Sequence, residues 1–204
     1  MRKLMVPISA ASIEQLHVGD TVEISGVIVT ARDRAHKFLT ETFIDKPAPQ
    51  AERALYETLR KHLAESAVYH CGPVVVKESD GRWKFVSAGP TTSARIEAFQ
   101  DKVMEHFGLR AIIGKGGMGP RTLAACKTHK AVYLHAYGGA GALIADRVKE
   151  VLTVFRLEDF GMPEAFWVIR VEALPAVVTM DAHGQSLHET IEKASRETLE
   201  RLLV

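Results

Sequence analysis

A change of pattern at Gly89-Pro90-Thr91-Thr92-Ser93-Ala94-Arg95 limits what this chain can fold into. Just before it, residues 82–88 alternate polar and apolar side chains, the period of a half-buried strand. Just after it, Ile96, Phe99, Val103 and Phe107 recur at helical spacing and stop at Gly108, a residue suited to a left-handed helix cap. From there strand and helix patterns alternate, which indicates parallel pairing, whereas the first ninety or so residues are rich in antiparallel strand signals. No linker, repeat or low-complexity tract interrupts residues 1–204. The reading is one α/β domain with a mixed sheet.

In the first part, residues 5–8 read as a short strand and residues 12–16 as one helical turn. Residues 21–30 are β-branched and alternating, hence a strand, and Gly26 inside it predicts a bulge or the close approach of another backbone. Residues 46–50 form a loop before a helix at 51–64, with Leu55, Leu59 and Leu63 on one face. Strands follow at 67–70 and 73–76, and Asp80-Gly81 is a hairpin signal joining Val76 to Phe85. The second part predicts helices at 92–107, 120–127 and 140–148, and strands at 109–113, 130–136, 151–155, 166–171 and 176–180. A last helix at 188–203 is expected to bury Ile191, Ala194, Leu199 and Leu202.

Three places carry residues suited to chemistry. Thr91, Thr92 and Ser93 lie where a helix begins, and its first backbone N–H groups favour an anion. Arg95 in that first turn opposes the helix dipole, a local conflict of the kind that function imposes. Arg32-Asp33-Arg34-Ala35-His36-Lys37 comes straight off the strand at 21–30 and puts a cation at a strand end. If that segment is helical, Asp33 and His36 can pair, fixing the imidazole tautomer for acid–base work. Gly114-Lys115-Gly116-Gly117-Met118-Gly119 matches the glycine spacing of a dinucleotide turn. The acidic residue expected about twenty positions on is missing from residues 130–136, and Pro120 removes a helix N–H. The other reading is that glycines such as Gly116 let the backbone approach a small anion while Lys115 supplies charge. If Arg32, Arg95 and Lys115 converge, they suit a compound with two carboxylates.

Composition narrows the partners. With 26 basic and 25 acidic side chains the net charge is +1, which argues against a nucleic-acid surface. Cys71 and Cys126 are far apart and in no metal-binding spacing, as expected for free thiols in a reducing compartment. Residues 1–7 are too short and interrupted for a signal peptide, and no apolar run approaches the length of a membrane span, so a cytoplasmic protein is expected.

Four motifs then carry a resemblance, in this order: Thr30-Ala31-Arg32-Asp33-Arg34-Ala35-His36-Lys37, the Gly89–Arg95 stretch, the Gly114–Gly119 turn, and Gly161-Met162-Pro163-Glu164. Together they resemble the β subunit of class I iron–sulfur fumarate hydratase and of its sister enzyme, L(+)-tartrate dehydratase, over nearly the whole chain. The same unit forms the C-terminal domain of single-chain class I fumarases. The resemblance implies a single swivelling β/β/α three-layer domain. It implies a [4Fe-4S] cluster held by three cysteines of a partner α subunit and not by this chain, with the open iron a Lewis acid on the substrate's hydroxyl and a carboxylate. A heterotetramer of two α and two β chains is expected, acting on a C4 dicarboxylate.

By the same resemblance, Arg32, Arg95, Lys115 and Gly116 are substrate-binding, Thr91 is the base at C3, Thr92 is a neighbouring contact and His36 is the active histidine. Two groups thus stand for one proton: a hydroxyl needs nearby cations to act as a base, whereas an imidazole does not. Hydration of fumarate to (S)-malate is the expected activity. Ala31 and the Gly138-Gly139 turn resemble that branch more than the tartrate branch, which tends to carry cysteine at both places. L(+)-tartrate dehydration is the alternative, ahead of a dicarboxylate-sensing or dinucleotide-binding domain.

Overall fold

Alternation along the strands sorts side chains onto two faces, and both faces are buried. In chain order, the computed structural model, which describes residues 1–203, begins β1 (Arg2–Met5), α1 (Ala10–Glu14), β2 (Thr21–Thr30), α2 (Asp33–Leu39), α3 (Arg53–Leu63) and β3 (Ala67–Tyr69). A hairpin of β4 (Val74–Lys77) and β5 (Trp83–Ser87) follows, then α4 (Glu97–Phe107), β6 (Ala111–Gly114), α5 (Pro120–His129) and β7 (Val132–His135). The chain continues through α6 (Gly141–Ala145), β8 (Val148–Phe155), α7 (Leu157–Phe160), β9 (Phe166–Met180) and α8 (Leu187–Leu202). None of these helices is long and apolar enough to cross a membrane.

Strands β1, β2, β3, β6 and β7 lie side by side in parallel, as helix-bearing crossovers require. The long strand β9 runs antiparallel to β7 and β8, and also to β2, so β2, β3, β6, β7 and β9 close into a five-stranded ring. Tyr69, Ile113, Leu134, Trp167 and Ile169 point to one core, covered by α1 and by Val75 and Phe85 of the hairpin. Their chain neighbours Val68, Ile112, Tyr133, Phe166 and Val168 point the other way, into a second core. There they meet Leu39 of α2, Leu59 and Leu63 of α3, Val103 and Met104 of α4, and Cys126 of α5. Each such side chain, fully buried, contributes about 1.5–3 kcal/mol over an exposed one, which holds these helices on the ring. Inside, the Trp167 indole stands edge-on to Trp83 and Phe85 and donates to the Met162 carbonyl at 2.9 Å, so its polar edge is satisfied.

Ring closure depends on a bulge. Ile24 pairs with Leu174 and Gly26 with Val171, so β9 spends an extra residue opposite Ser25, whose hydroxyl accepts from the Ala173 N–H at 2.9 Å. Ala173 takes a left-handed φ of 49° there, and Gly26 has φ of 125°. A side chain on Gly26 would also meet the Val6 Cβ at 2.8 Å, so the predicted bulge and the close backbone approach occur at one residue.

Five expectations need correction. Within the first ninety residues only the β4–β5 hairpin is antiparallel, whereas β1, β2 and β3 pair in parallel. The first strand is Arg2–Met5 rather than 5–8, because Pro7 has no N–H to give a ladder. The two strands expected at 166–171 and 176–180 are one, β9. Pro175 is tolerated because one edge of β9 has no paired strand between Val171, partner of β8, and Val177, partner of β7. The helix expected at 140–148 ends at Ala145, and Val148 already begins β8. Finally, α8 buries none of its residues: Ile191, Leu199 and Leu202 are 58%, 55% and 78% exposed. An amphipathic period shows that a stripe favours cover, not that its own chain supplies it.

Gly26→Ala should destabilise the chain by about 1–3 kcal/mol, from backbone strain and the clash with Val6. Urea unfolding followed by tryptophan fluorescence measures it; an unchanged midpoint would remove the bulge from the account of closure.

Candidate functional site

Parallel strands deliver their C-terminal ends to one edge, where α/β proteins commonly bind ligands. Here the loops after β2, β3 and β6 are stitched together at that edge. The Ala31 N–H donates to the Tyr69 carbonyl at 3.0 Å, and the His70 N–H to the Ile113 carbonyl at 2.8 Å. The Gly89–Arg95 stretch is woven between them: the Thr91 N–H reaches the His70 carbonyl at 2.7 Å and the Ser93 N–H the Lys115 carbonyl at 3.1 Å. Thr92 and Lys115 pair as a parallel bridge. The backbone segments of Arg32, Thr91, Thr92, Arg95 and Lys115 thus share one edge although up to 83 positions separate them in sequence. Gly116 tops the lysine turn at φ of 77° with open space around it.

Arg95 is half exposed, yet its guanidinium is committed to partners on the chain. Its Nε and Nη2 donate to the two carboxylate oxygens of Asp33 at 3.0 and 3.1 Å, and Nη2 donates to the Thr91 hydroxyl at 2.7 Å. Ser93–Ile96 is a 3₁₀ turn running straight into α4 at Glu97, so the cation still stands at the positive end of that helix, and Thr92 makes no side-chain cap. Partial burial pushes the Asp33 carboxyl up, but the hydrogen bond from Arg95 and the positive charges of Arg95 and Arg32 outweigh it and hold it below the usual carboxylate range. The hydrogen bond it donates to Asp33, with that carboxylate's charge, keeps Arg95 above its ordinary value, so this pair is ionic.

Arg32 has a carboxylate partner as well, with Nε 3.3 Å from Glu164 Oε1. The other Glu164 oxygen accepts the Arg34 N–H at 3.0 Å, which satisfies a free donor in the first turn of α2. Sequence reasoning marked Glu164 within a motif but not its work, since 130 positions separate it from Arg34.

His36 is placed beneath this surface, fully buried in α2, its Nδ1 3.0 Å from the Arg32 carbonyl. The segment is helical, yet Asp33 turns to Arg95 rather than to His36. Burial is the main cause that pushes the His36 imidazole down to about 4, against weaker support from the Arg32 carbonyl, Gln100 and Asp33. His70, edge-on to it at 5.1 Å between ring centroids, is also buried and also pushed down, chiefly by burial and then by His36.

The glycine turn resolves differently from a dinucleotide site. Glu97 fills the N-terminus of α5: its carboxylate accepts from the N–H groups of Gly119, Arg121 and Thr122 at 2.8, 3.0 and 3.1 Å, and from the Thr122 hydroxyl at 2.7 Å. The dipole and donors that would hold a pyrophosphate are taken by the chain's own acid. An iron–sulfur cluster does not fit on this chain either. Among the described residues no three His, Cys, Asp or Glu side chains group to hold a metal ion. Both cysteines are buried, which pushes the Cys126 thiol up to about 12 and the Cys71 thiol higher still, the reverse of what a thiolate ligand needs.

Residues 2–191 match the family model described as the fumarase C-terminus. The chain is 48% identical over 196 residues to a Geobacillus stearothermophilus protein provisionally named class I fumarate hydratase, covering 96% of itself but only 35% of that relative. It is 40% identical to a Methanocaldococcus jannaschii protein provisionally named L(+)-tartrate dehydratase subunit beta, covering 94% of itself and 93% of that protein. It is 38% identical to the L(+)-tartrate dehydratase subunit beta of Escherichia coli strain K12, covering 92% of itself and 87% of that subunit.

The two depressed histidines make stability depend on pH. Both are neutral when folded, and unfolding returns them toward 6.5, so between about 6.5 and 4 the unfolded chain binds more protons. Stability should therefore fall as pH drops through that window, by about 1.4 kcal/mol per pH unit for each histidine. Urea midpoints at pH 7 and pH 5 test this, and His36→Asn should flatten the slope by one histidine's share.

Proposed function

The chain belongs to the fumarase C-terminus family, and from that premise we propose that it is the β-type half of a two-chain cytoplasmic hydro-lyase interconverting fumarate and (S)-malate. The observation that carries this reading is the Thr91 hydroxyl held 2.7 Å from an arginine that is itself fixed by a carboxylate. In dehydration, Thr91, having given its hydroxyl proton to solvent, takes the C3–H proton of malate on Oγ1. The C–H electrons form the C2–C3 double bond, and the C2–O bond breaks to release hydroxide, which takes a proton from solvent and leaves as water. Hydration is the reverse. A threonine hydroxyl is a weak base alone; the Arg95 hydrogen bond lowers the cost of negative charge growing on its oxygen.

Arg32 and Lys115 hold the two substrate carboxylates, with Thr92 and the backbone at Gly116 as neighbouring contacts. His36, buried and neutral, acts on the Arg32 backbone from beneath. The ring and its outer helices are the swivelling β/β/α domain of that family. A partner α subunit supplies the [4Fe-4S] cluster, which brings Lewis-acid chemistry to the substrate, in an assembly of two α and two β chains. A second reading, L(+)-tartrate dehydratase, is favoured by the two relatives whose length this chain matches, since the same cations serve either acid.

Anaerobic reconstitution with the α chain, followed by kcat/KM for (S)-malate and L(+)-tartrate, decides between them. Malate should win; preference for tartrate would leave only the broader hydro-lyase reading. The chain alone should be inactive. In the complex, Arg95→Ala should lose at least about tenfold in kcat/KM, because a hydrogen bond to a charged group contributes about 1.5–3 kcal/mol. Arg95→Lys should recover only part, since a point charge cannot bridge Asp33 and Thr91 together.

A further inference from the structure

Behind the site lies a set of buried polar groups that the chemistry above does not use. His70, Ser93 and Gln100 are fully buried, as is Tyr133. The Tyr133 hydroxyl donates to Ser93 Oγ at 2.9 Å, Ser93 Oγ lies 2.9 Å from His70 Nδ1, and His70 Nε2 lies 2.8 Å from Gln100 Oε1. The chain has one direction. An amide oxygen only accepts, so His70 carries its proton on Nε2 and leaves Nδ1 bare. Nδ1 then accepts a hydrogen bond from the Ser93 hydroxyl, and Ser93 Oγ accepts one from Tyr133.

At the far end, the Arg32 carbonyl faces His36 Nδ1, which leaves His36 Nε2 bare. Gln100 Nε2 and His36 Nε2 are both without an aligned partner, and Gln100 lies close enough to act on both imidazoles.

The backbone is shaped around this set. A Cβ on Gly114 would meet Ser93 Oγ at 1.9 Å, Tyr133 Oη at 2.9 Å and His70 Nδ1 at 3.2 Å, so three polar groups converge where Gly114 has no side chain. Gly114 precedes Lys115, and Ser93 stands two positions from both Thr91 and Arg95. One hydroxyl therefore touches the mounting of both loops, while His36 reaches the third at Arg32.

We infer that Ser93, His70 and Gln100 are positioning residues that hold the Thr91–Arg95 loop against the Lys115 turn and keep both in register with Arg32. The catalytic part of this inference rests on the hydro-lyase reading; the structural part does not. Transition states tolerate misplacement poorly, with about a hundredfold loss for an error near 1 Å, whereas ground-state binding by the cations tolerates more.

Two measurements test it. In the reconstituted complex, with whichever C4 acid the wild type turns over, Ser93→Ala and His70→Leu should lower kcat by about ten- to a hundredfold with KM within about threefold. His70→Asn, which keeps an acceptor for Ser93, should recover much of that rate. Variant kcat within twofold of wild type, or no difference between Leu and Asn at position 70, would overturn the inference. In the isotope-labelled full chain, amide exchange at Thr91 and Ser93 should quicken at least about tenfold in Ser93→Ala and His70→Leu, while β2 and β9 stay protected. Unchanged exchange at Thr91 and Ser93 would overturn it even if the complex turned over neither acid, an outcome that would separately sink the hydro-lyase reading.

Discussion

The antiparallel pairing of β2 with β9 is the contact on which the rest of the structure depends. It turns a row of parallel strands into a ring, giving every strand of that ring two neighbours. A parallel row needs crossovers, and those crossovers lay α2 to α5 on the outside. Closure then fixes the spacing of the strand ends, and with it the loops that carry Arg32, Thr91 and Lys115. The bulge at Gly26 and Ala173 lets one strand manage this, because it bends β9 from its pairing with β8 toward its pairing with β7.

Much of this was legible in the sequence, for physical reasons. The strand at 21–30 was found because β-branched alternation is a local signal, and β2 occupies those residues. The hairpin at Asp80-Gly81 and the left-handed cap at Gly108 were found for the same reason. What stayed hidden is non-local. Period-two alternation says that a face is buried but not which strand covers it, so closure by β9 left no sign. The apolar stripe of α8 is a true local pattern whose cover this chain does not provide.

The candidate site divides in the same way. Strand ends and glycine turns marked Arg32, Thr91 and Lys115 as candidates, although spacing in sequence could not show that their backbone segments share one edge. They could not announce that Arg95 would spend its fork on Asp33, 62 positions away. Nor could they show Glu97 filling the helix end that follows the glycine turn. A carboxylate carries no mark of its partner, and ion pairs formed by folding are visible only in three dimensions. His36 is instructive: its spacing from Asp33 suggested a pair, whereas α2 turns it inward and Asp33 pairs with Arg95.

The pairing of Arg32 with Glu164 and of Arg95 with Asp33 has a consequence for how an anion arrives. With Lys115, the three cations are offset by two carboxylates, leaving a single net positive charge among these five side chains. A small dianion a Debye length away, about 8 Å at physiological salt, meets a nearly balanced field. Long-range steering therefore contributes little to its encounter rate, in contrast to clefts lined by one sign of charge. Selection is postponed until contact, when a guanidinium must share or exchange one carboxylate for another. If this edge takes a dicarboxylate, it would be slow to gather anions in general and exacting about the spacing of the two charges.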